Sequence, residues 1–426
     1  MEAKQVVWNS HVAFPQSLVL GSSNLDNAPR QEPMIPRKKI DISFSDLVAG
    51  AAFCLRSPDA RTLEVQLDAV WPSRERIIPF LSVRSGFDAT LGALNFPKGS
   101  EILVSALTIR DMEKIILEHG LVPVPIDVDP NRLDLDYASL ESACTEKTKA
   151  ILIAHLFGSR MRMDPIVGFA RTRDFILFED CAQAFIGSEY QGDPRSDVRM
   201  FSFGPIKTAT ALGGGQFFFR DPALREKVEA IQDAWPRRSQ LNFLKRILKY
   251  AVISGILRCP YYGIFVACCR FLGTNHEKFI AKNVRGFAGS NFFSQIRQRP
   301  SLALVALMGR RLKRFDPARI AARRSFAEAF LARLPDGNIF GKEANNHSFW
   351  VFPASSNDPD RLVCFLWKRG FDATRGQSSM VVIGGSKKPP EAIKAYEKLL
   401  YLPVHSEVGA RDIEKLLKAV EEFENR

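Results

Sequence analysis

From Ser85 to Asp180, apolar runs of strand length alternate with segments whose apolar residues recur at helical spacing, and this alternation limits the fold more than any other feature of the chain. SGFDATLGALNF carries small and apolar residues at helical spacing, PKGS marks a turn, EILVSAL reads as a strand, and DMEKIILEHG reads as a helix closed by Gly120. LVPVPIDVD is the next strand, and the alternation continues through LESACTEKT, AILIAHLFG, the segment from Pro165 to Arg173, and FILFED. Repeated strand and helix units on this scale build an α/β fold with a mainly parallel sheet covered on both faces.

At 426 residues the chain exceeds one ordinary core, so a large domain with a smaller companion is expected. The polar, weakly periodic residues 1–38 read as a loosely ordered arm. Residues 39–300 read as the large α/β domain with a helical insertion at 236–300, and 301–426 as a linking helix and a small α+β domain. Within that last part, 301–334 is a long amphipathic stretch rich in Arg and Ala, HSFWVFPAS and VCFLWKRGFDAT look like a strand and a helix, and DIEKLLKAVEEFEN is a periodic terminal helix. A composition of 46% hydrophobic and 25% charged residues excludes wholesale disorder.

The net charge of +12 implies attraction to anions, yet the basic residues fall in short clusters, and no run of five or more with interleaved aromatics suggests a nucleic-acid stripe. Seven cysteines, odd in number and without CxxC spacing, point to reduced thiols rather than to a disulfide framework or a metal site. MEAKQVVWNS lacks a charged start followed by an apolar core, so no secretory signal is read and a cytoplasmic location is expected.

Two segments carry the chemistry. FILFEDCAQAF is a short apolar run ending in two carboxylates, which reads as a buried strand delivering Asp180 to the edge of the sheet. MFSFGPIKTATALGGG is a second buried strand running into Lys207 and a glycine cluster. An acid and an amine at the ends of neighbouring strands suit pyridoxal 5'-phosphate, which takes a Lys for its Schiff base and an Asp opposite its pyridinium nitrogen. Glu179, beside Asp180, points to the opposite face of the strand and reads as structural.

SGFDATLGAL, PVPIDVDP, TKAILIAHLFG, FEDCAQAF, FSFGPIK and the GGG run occur in the order found in the DegT/DnrJ/StrS aminotransferases, which the chain resembles over about 82–230 and more weakly over 300–426. The resemblance implies a fold-type I pyridoxal phosphate-dependent transferase that aminates a keto-sugar, commonly nucleotide-linked, with an amino donor such as glutamate. It also implies a homodimer acting in polysaccharide or glycoconjugate synthesis.

Carried over position by position, Lys207 matches the Schiff-base lysine, Asp180 the partner of the ring nitrogen, Gln183 a neighbour of the phenolic oxygen, and Ser202 a hydroxyl holding the phosphate. Ser85 and Gly86 match the phosphate loop, and His155 a position near the cofactor. Phe87 stands where the family has a hydroxyl residue, and Ile109 where it has the aromatic ring that stacks on the cofactor. Arg375 is a candidate for a substrate phosphate or carboxylate, and Asn291, within 283–297, for a residue donated by the partner subunit.

The stretch 247–273, ILKYAVISGILRCPYYGIFVACCRFLG, is interrupted by Lys249, Arg258 and Pro260, which excludes a simple membrane span. It reads either as a buried helical hairpin at a dimer interface or as an interfacial pair of helices in peripheral contact with a membrane. Three readings of function follow: an aminotransferase on a soluble keto-sugar, a membrane-associated aminotransferase on a lipid-linked one, and a cofactor-fold protein that has lost transamination.

Overall fold

The computed structural model describes residues 34–426 except 57, 74, 259–260, 275, 277–278, 280–285, 288–290, 345, 377–379, 385–387 and 406. Its centre is a seven-stranded sheet. We label its strands β1 (Ile78–Phe80), β2 (Glu101–Ser105), β3 (Val122–Ile126), β4 (Thr148–Ala154), β5 (Ile176–Asp180), β6 (Val198–Ser202) and β7 (Gly215–Phe219). They lie in the order β1-β7-β6-β5-β4-β2-β3. β3, β2, β4, β5 and β6 pair in parallel, whereas β7 is antiparallel to both β6 and β1.

The central strands are apolar on both faces because both faces are covered. Trp71, Phe185, Phe201 and Phe218 pack together on one side. Phe87, Phe178, Ile102 and Val104 belong to a second cluster, and Leu103, Ile151 and Leu177 to a third. Burying continuous Val, Ile, Leu and Phe runs is what drives parallel strands inside.

The connecting segments fold as their periodicity indicates. Helices span Val83–Leu94, Arg110–Glu118, Tyr137–Ala143 and Met163–Thr172, with Gly120 at φ 72° just past the second. Residues 301–334 are two helices rather than one long element: Leu302–Lys313 and Ala318–Leu331 are separated at Phe315–Pro317 because proline breaks the ladder. The first of them is largely buried and packs against Phe44–Arg56 and Gln240–Ile256.

Toward the C-terminus, strand Phe352–Ser355 pairs antiparallel with Leu399–Leu402. Helices Pro359–Lys368 and Ala410–Glu424 pack beside them around Leu366, Leu400 and Leu416. Of the arm expected over 1–38, residues 1–33 lie outside the described residues. Ile35 bridges to Phe371, and Arg37 pairs with the buried Asp372 at 3.1 Å.

Candidate active site

Parallel strands finish at one edge of a sheet, and this edge collects Ala154, Asp180 and Ser202 at the ends of β4, β5 and β6. In open α/β sheets ligands bind outside these carboxyl ends. A cavity of about 1490 Å³ opens there, lined by Asp180, Gln183, Ser202, Lys207, His155 and Ile109 among others. Its lining carries fourteen Lys or Arg against five Asp or Glu, so it favours an anionic occupant.

Lys207 sits in the loop between β6 and β7, which is coiled on itself. The amides of Ala211 and Gly213 both donate to the Phe203 carbonyl, the Lys207 amide donates to the Gly204 carbonyl at 2.9 Å, and Thr210 Oγ1 donates to the carbonyls of Phe203 and Gly204. Arg311 and Asp41 clamp it from outside through the Thr210 carbonyl and the Ala209 amide. Gly214 must be glycine, since its φ is 91° and a Cβ would lie 2.5 Å from Met308 Sδ.

The Lys207 ammonium lies 4.1 Å from the centroid of Trp350, whose indole N–H donates to the Ile206 carbonyl at 3.1 Å. Burial pulls the Lys207 amine down from 10.5 to about 8, with Asp180 opposing the fall and Arg84 adding to it. Burial likewise pushes the Asp180 carboxyl up, while the Ala182 amide at 2.9 Å from Oδ1 and the charge of Lys207 pull it back. The two groups therefore sense each other inside one recess, each destabilised by burial and partly rescued by its partner.

Gln183 also lines this recess, and its side-chain oxygen accepts from the Phe157 amide at 2.8 Å. Ile109 ends a short strand paired with Met380–Val382 and presents an apolar wall. His155 is committed to hydrogen bonds: Nδ1 accepts from the Met161 amide at 3.1 Å, so Nε2 bears the proton and faces Glu179 Oε1 at 3.0 Å. Glu179 is saturated by His155, Tyr190, Ser196 and the Asp193 amide. His155, Glu179 and Cys181 come close enough to suggest a metal cluster, but this tautomer turns no imidazole lone pair toward the other two.

Ser85, Gly86 and Phe87 stand behind the cavity wall rather than in it. Phe87 is fully buried, edge-on to Phe178 at 5.3 Å, and a Cβ on Gly86 would meet the Phe217 ring at 2.3 Å. The amides of Ser85 and Gly86 are already used, donating to Ser82 Oγ and the Ser82 carbonyl. Ser82, Val83 and Arg84, at the N-terminus of the twelve-residue helix, line the cavity instead. Sequence reasoning missed Ser82, although a serine three residues before another and just ahead of an apolar helix is a capping signal. It also missed Trp350 and Lys38, whose ammonium is likewise 4.1 Å from the Trp350 ring.

Arg375 turns away from the cavity and clamps the end of helix Pro390–Lys398, donating to the carbonyls of Tyr396, Glu397 and Leu399 and pairing with Asp360 at 2.9 Å. Asn291 precedes the short helix Phe292–Ile296; residues 283–285 and 288–290 of the region around it lie outside the described residues.

Residues 52–247 match the model of the DegT/DnrJ/EryC1/StrS aminotransferase family. A GDP-perosamine synthase of Escherichia coli O157:H7 is 35% identical over 138 residues, 32% of this chain and 38% of that protein. An L-glutamine:2-deoxy-scyllo-inosose aminotransferase of Streptomyces paromomycinus is 34% identical over 170 residues, 39% of this chain and 40% of that protein. The matched segment thus spans about two fifths of the length of these curated relatives.

The fold is shared with the aminotransferase TlmJ from Streptoalloteichus hindustanus, at TM-score 0.66 and 19% identity over 91% of this chain and 98% of that one. It is shared also with NtdA from Bacillus subtilis, solved with bound cofactor PMP, at TM-score 0.68 and 16% identity over 94% and 87%.

Proposed function

We propose that this chain, whose residues 52–247 match the model of the DegT/DnrJ/EryC1/StrS aminotransferase family, transfers an amino group from an amino-acid donor to a keto-sugar carried on a nucleotide, using pyridoxal 5'-phosphate. The observation that carries the reading is the half-buried Lys207, its amine lowered to about 8, sharing one recess with the buried Asp180. Relatives named for GDP-linked and UDP-linked sugars support the substrate class. The basic cavity suits a diphosphate, and its volume exceeds what a cofactor alone fills.

The residues present fit the cofactor. Asp180 Oδ1 holds one amide hydrogen bond, and its carboxylate is disfavoured by burial, so a protonated ring nitrogen would relieve it. Ser202, Ser82 and the helix N-terminus at Val83 and Arg84 would hold the phosphate, the helix supplying amide donors and a favourable dipole. Gln183 would stand near the ring oxygen and Ile109 against the ring face, where an aliphatic wall excludes water without stacking.

When bound, pyridoxal phosphate supplies an electron sink for carbanion chemistry. The chain's own contribution is proton transfer and charge placement. At a value of about 8 a fraction of Lys207 is neutral near pH 7, which makes its amine a competent nucleophile and a base for the proton on the carbon bearing the transferred amino group. Asp180 would supply the negative charge that favours a protonated ring nitrogen.

A spectrum tests this directly. Purified protein with pyridoxal phosphate should show a visible absorbance that glutamate discharges and a nucleotide-linked keto-sugar restores, and Lys207→Ala should lack it. A visible band that responds to no amino donor, glutamine included, would overturn the reading in favour of a protein that has lost transamination.

A further inference from the structure

Between Asp233 and Glu277 the chain carries seven Lys or Arg and not one Asp or Glu. Within this segment helices Gln240–Ile256 and Tyr261–Phe271 are bent 97° to each other, and no single helix among the described residues is long and apolar enough to cross a membrane.

At 100° per residue the first helix divides into three faces. Phe243, Ile247 and Tyr250 pack into the core beside Leu307. Asn242, Arg246 and Lys249 line the cavity. Leu241, Leu248 and Val252 project into solvent, at 68%, 58% and 64% exposure.

The second helix exposes Tyr261, Ile264 and Phe271, together with Ala267 and Cys268, where a surface helix normally carries charge. Helix Phe44–Arg56, packed against the first, adds Phe44, Val48 and Leu55 to the exposed apolar residues. Lys245, Lys249 and Arg258 are exposed on the same hairpin. Exposed apolar residues flanked by cations, on a segment that holds no acid between Asp233 and Glu277, are the composition of a helix that lies in a membrane interface.

We propose that the hairpin Gln240–Phe271 docks in the headgroup plane of an anionic lipid bilayer. The charge pattern selects that occupant over a second copy of the chain, because a two-fold contact through this face would set the same lysines against each other with no carboxylate from the segment to pair them. The right-angled bend suits helices lying along a surface and not through it. Lys245 and Lys249 belong both to the exposed rim and to the cavity lining, so in the docked enzyme the basic lobe of the cavity opens at the headgroup layer. The inference stands on the surface alone and is independent of the reaction.

Flotation of the full chain with phosphatidylcholine vesicles, with and without ~30 mol % phosphatidylglycerol, tests it. The protein should float with the anionic vesicles, and remain below with pure phosphatidylcholine or in ~0.5 M salt. Lys245→Ser with Lys249→Ser, both at exposed positions, should weaken vesicle affinity about 30-fold, at about 1 kcal/mol for each lysine. Leu248→Glu with Val252→Glu and Phe271→Glu should abolish flotation while the melting curve holds. Failure of the wild type to float with anionic vesicles, or equal flotation of all variants, overturns the proposal. So does wild-type self-association that the glutamate variant dissolves in the absence of flotation, since a second copy would then cover the face.

Discussion

Replacing Lys207 by methionine keeps most of the side-chain length but removes a charge that the cofactor-free fold holds against its preference. The amine sits at about 8 against an ordinary 10.5. That difference corresponds to at most about 3 kcal/mol of destabilisation in the protonated state. Lys207 is only half-buried, so solvent screening leaves about 1–2 kcal/mol of it. Loss of the contact with the Trp350 ring gives back about 0.5–1 kcal/mol.

Lys207→Met should therefore stabilise the cofactor-free protein by about 1 kcal/mol at pH 7, read as a shift in urea midpoint at unchanged slope. The pH dependence fixes the cause. Between about 8 and 10.5 the unfolded wild type still binds the proton that the native state has released, so wild-type stability rises with pH across that window while the variant has no such group. The advantage of the variant must shrink through the window and lose its charge-derived part above it. A destabilised variant at pH 7, or an advantage that persists undiminished above pH 10.5, would refute the account of a half-buried amine held below its ordinary value by desolvation.

Other substitutions divide the site into chemistry and frame. On the proposed role of Asp180 as counter-charge to the ring nitrogen, Asp180→Asn should cut turnover about 10²–10⁴-fold with pyridoxal phosphate still bound; an unchanged kcat would remove Asp180 from that role. Gly86→Ala should cost about 1–3 kcal/mol by driving a methyl into the Phe217 ring, with Phe217→Leu restoring part of the loss in the double variant. Trp350→Ala should raise the apparent pKa of Lys207, measured from the pH dependence of its reaction with pyridoxal phosphate, by letting water reach the amine. Glu179→Leu should cost about 3–5 kcal/mol at pH 7 by orphaning Ser196 and the Asp193 amide. Burial alone would raise the Glu179 carboxyl, but His155, the Asp193 amide and Ser196 hold it below its ordinary 4.5. The stability it contributes is thus present above that value and fades as pH falls through its lowered folded value, so the gap to wild type should narrow in acid.

How far the sequence could be read follows from which contacts are local. The order of strands and helices from Ser85 to Ser202 was legible because each element carries its own period, and the meeting of Asp180, Ser202 and Lys207 was legible because β5 and β6 run parallel and finish at one edge, with Lys207 in the loop that follows. What escaped was long-range. Trp350 reaches the Ile206 carbonyl from 144 residues away, and nothing within HSFWVFP marks it as the roof over a lysine. The reasons for Gly86 and Phe87 lie in Phe217 and Phe178, on strands far along the chain, so a glycine that suggested a phosphate loop is a glycine because an aromatic ring fills the space of its side chain. Glu179 shows the converse. Its neighbour Asp180 enters the cavity, and strand alternation alone sends Glu179 to the other face, where His155, Tyr190 and Ser196 close around it. A period-two rule separated two adjacent carboxylates into different environments before any tertiary contact was known. The network that holds one and the recess that strains the other had to be seen in the fold.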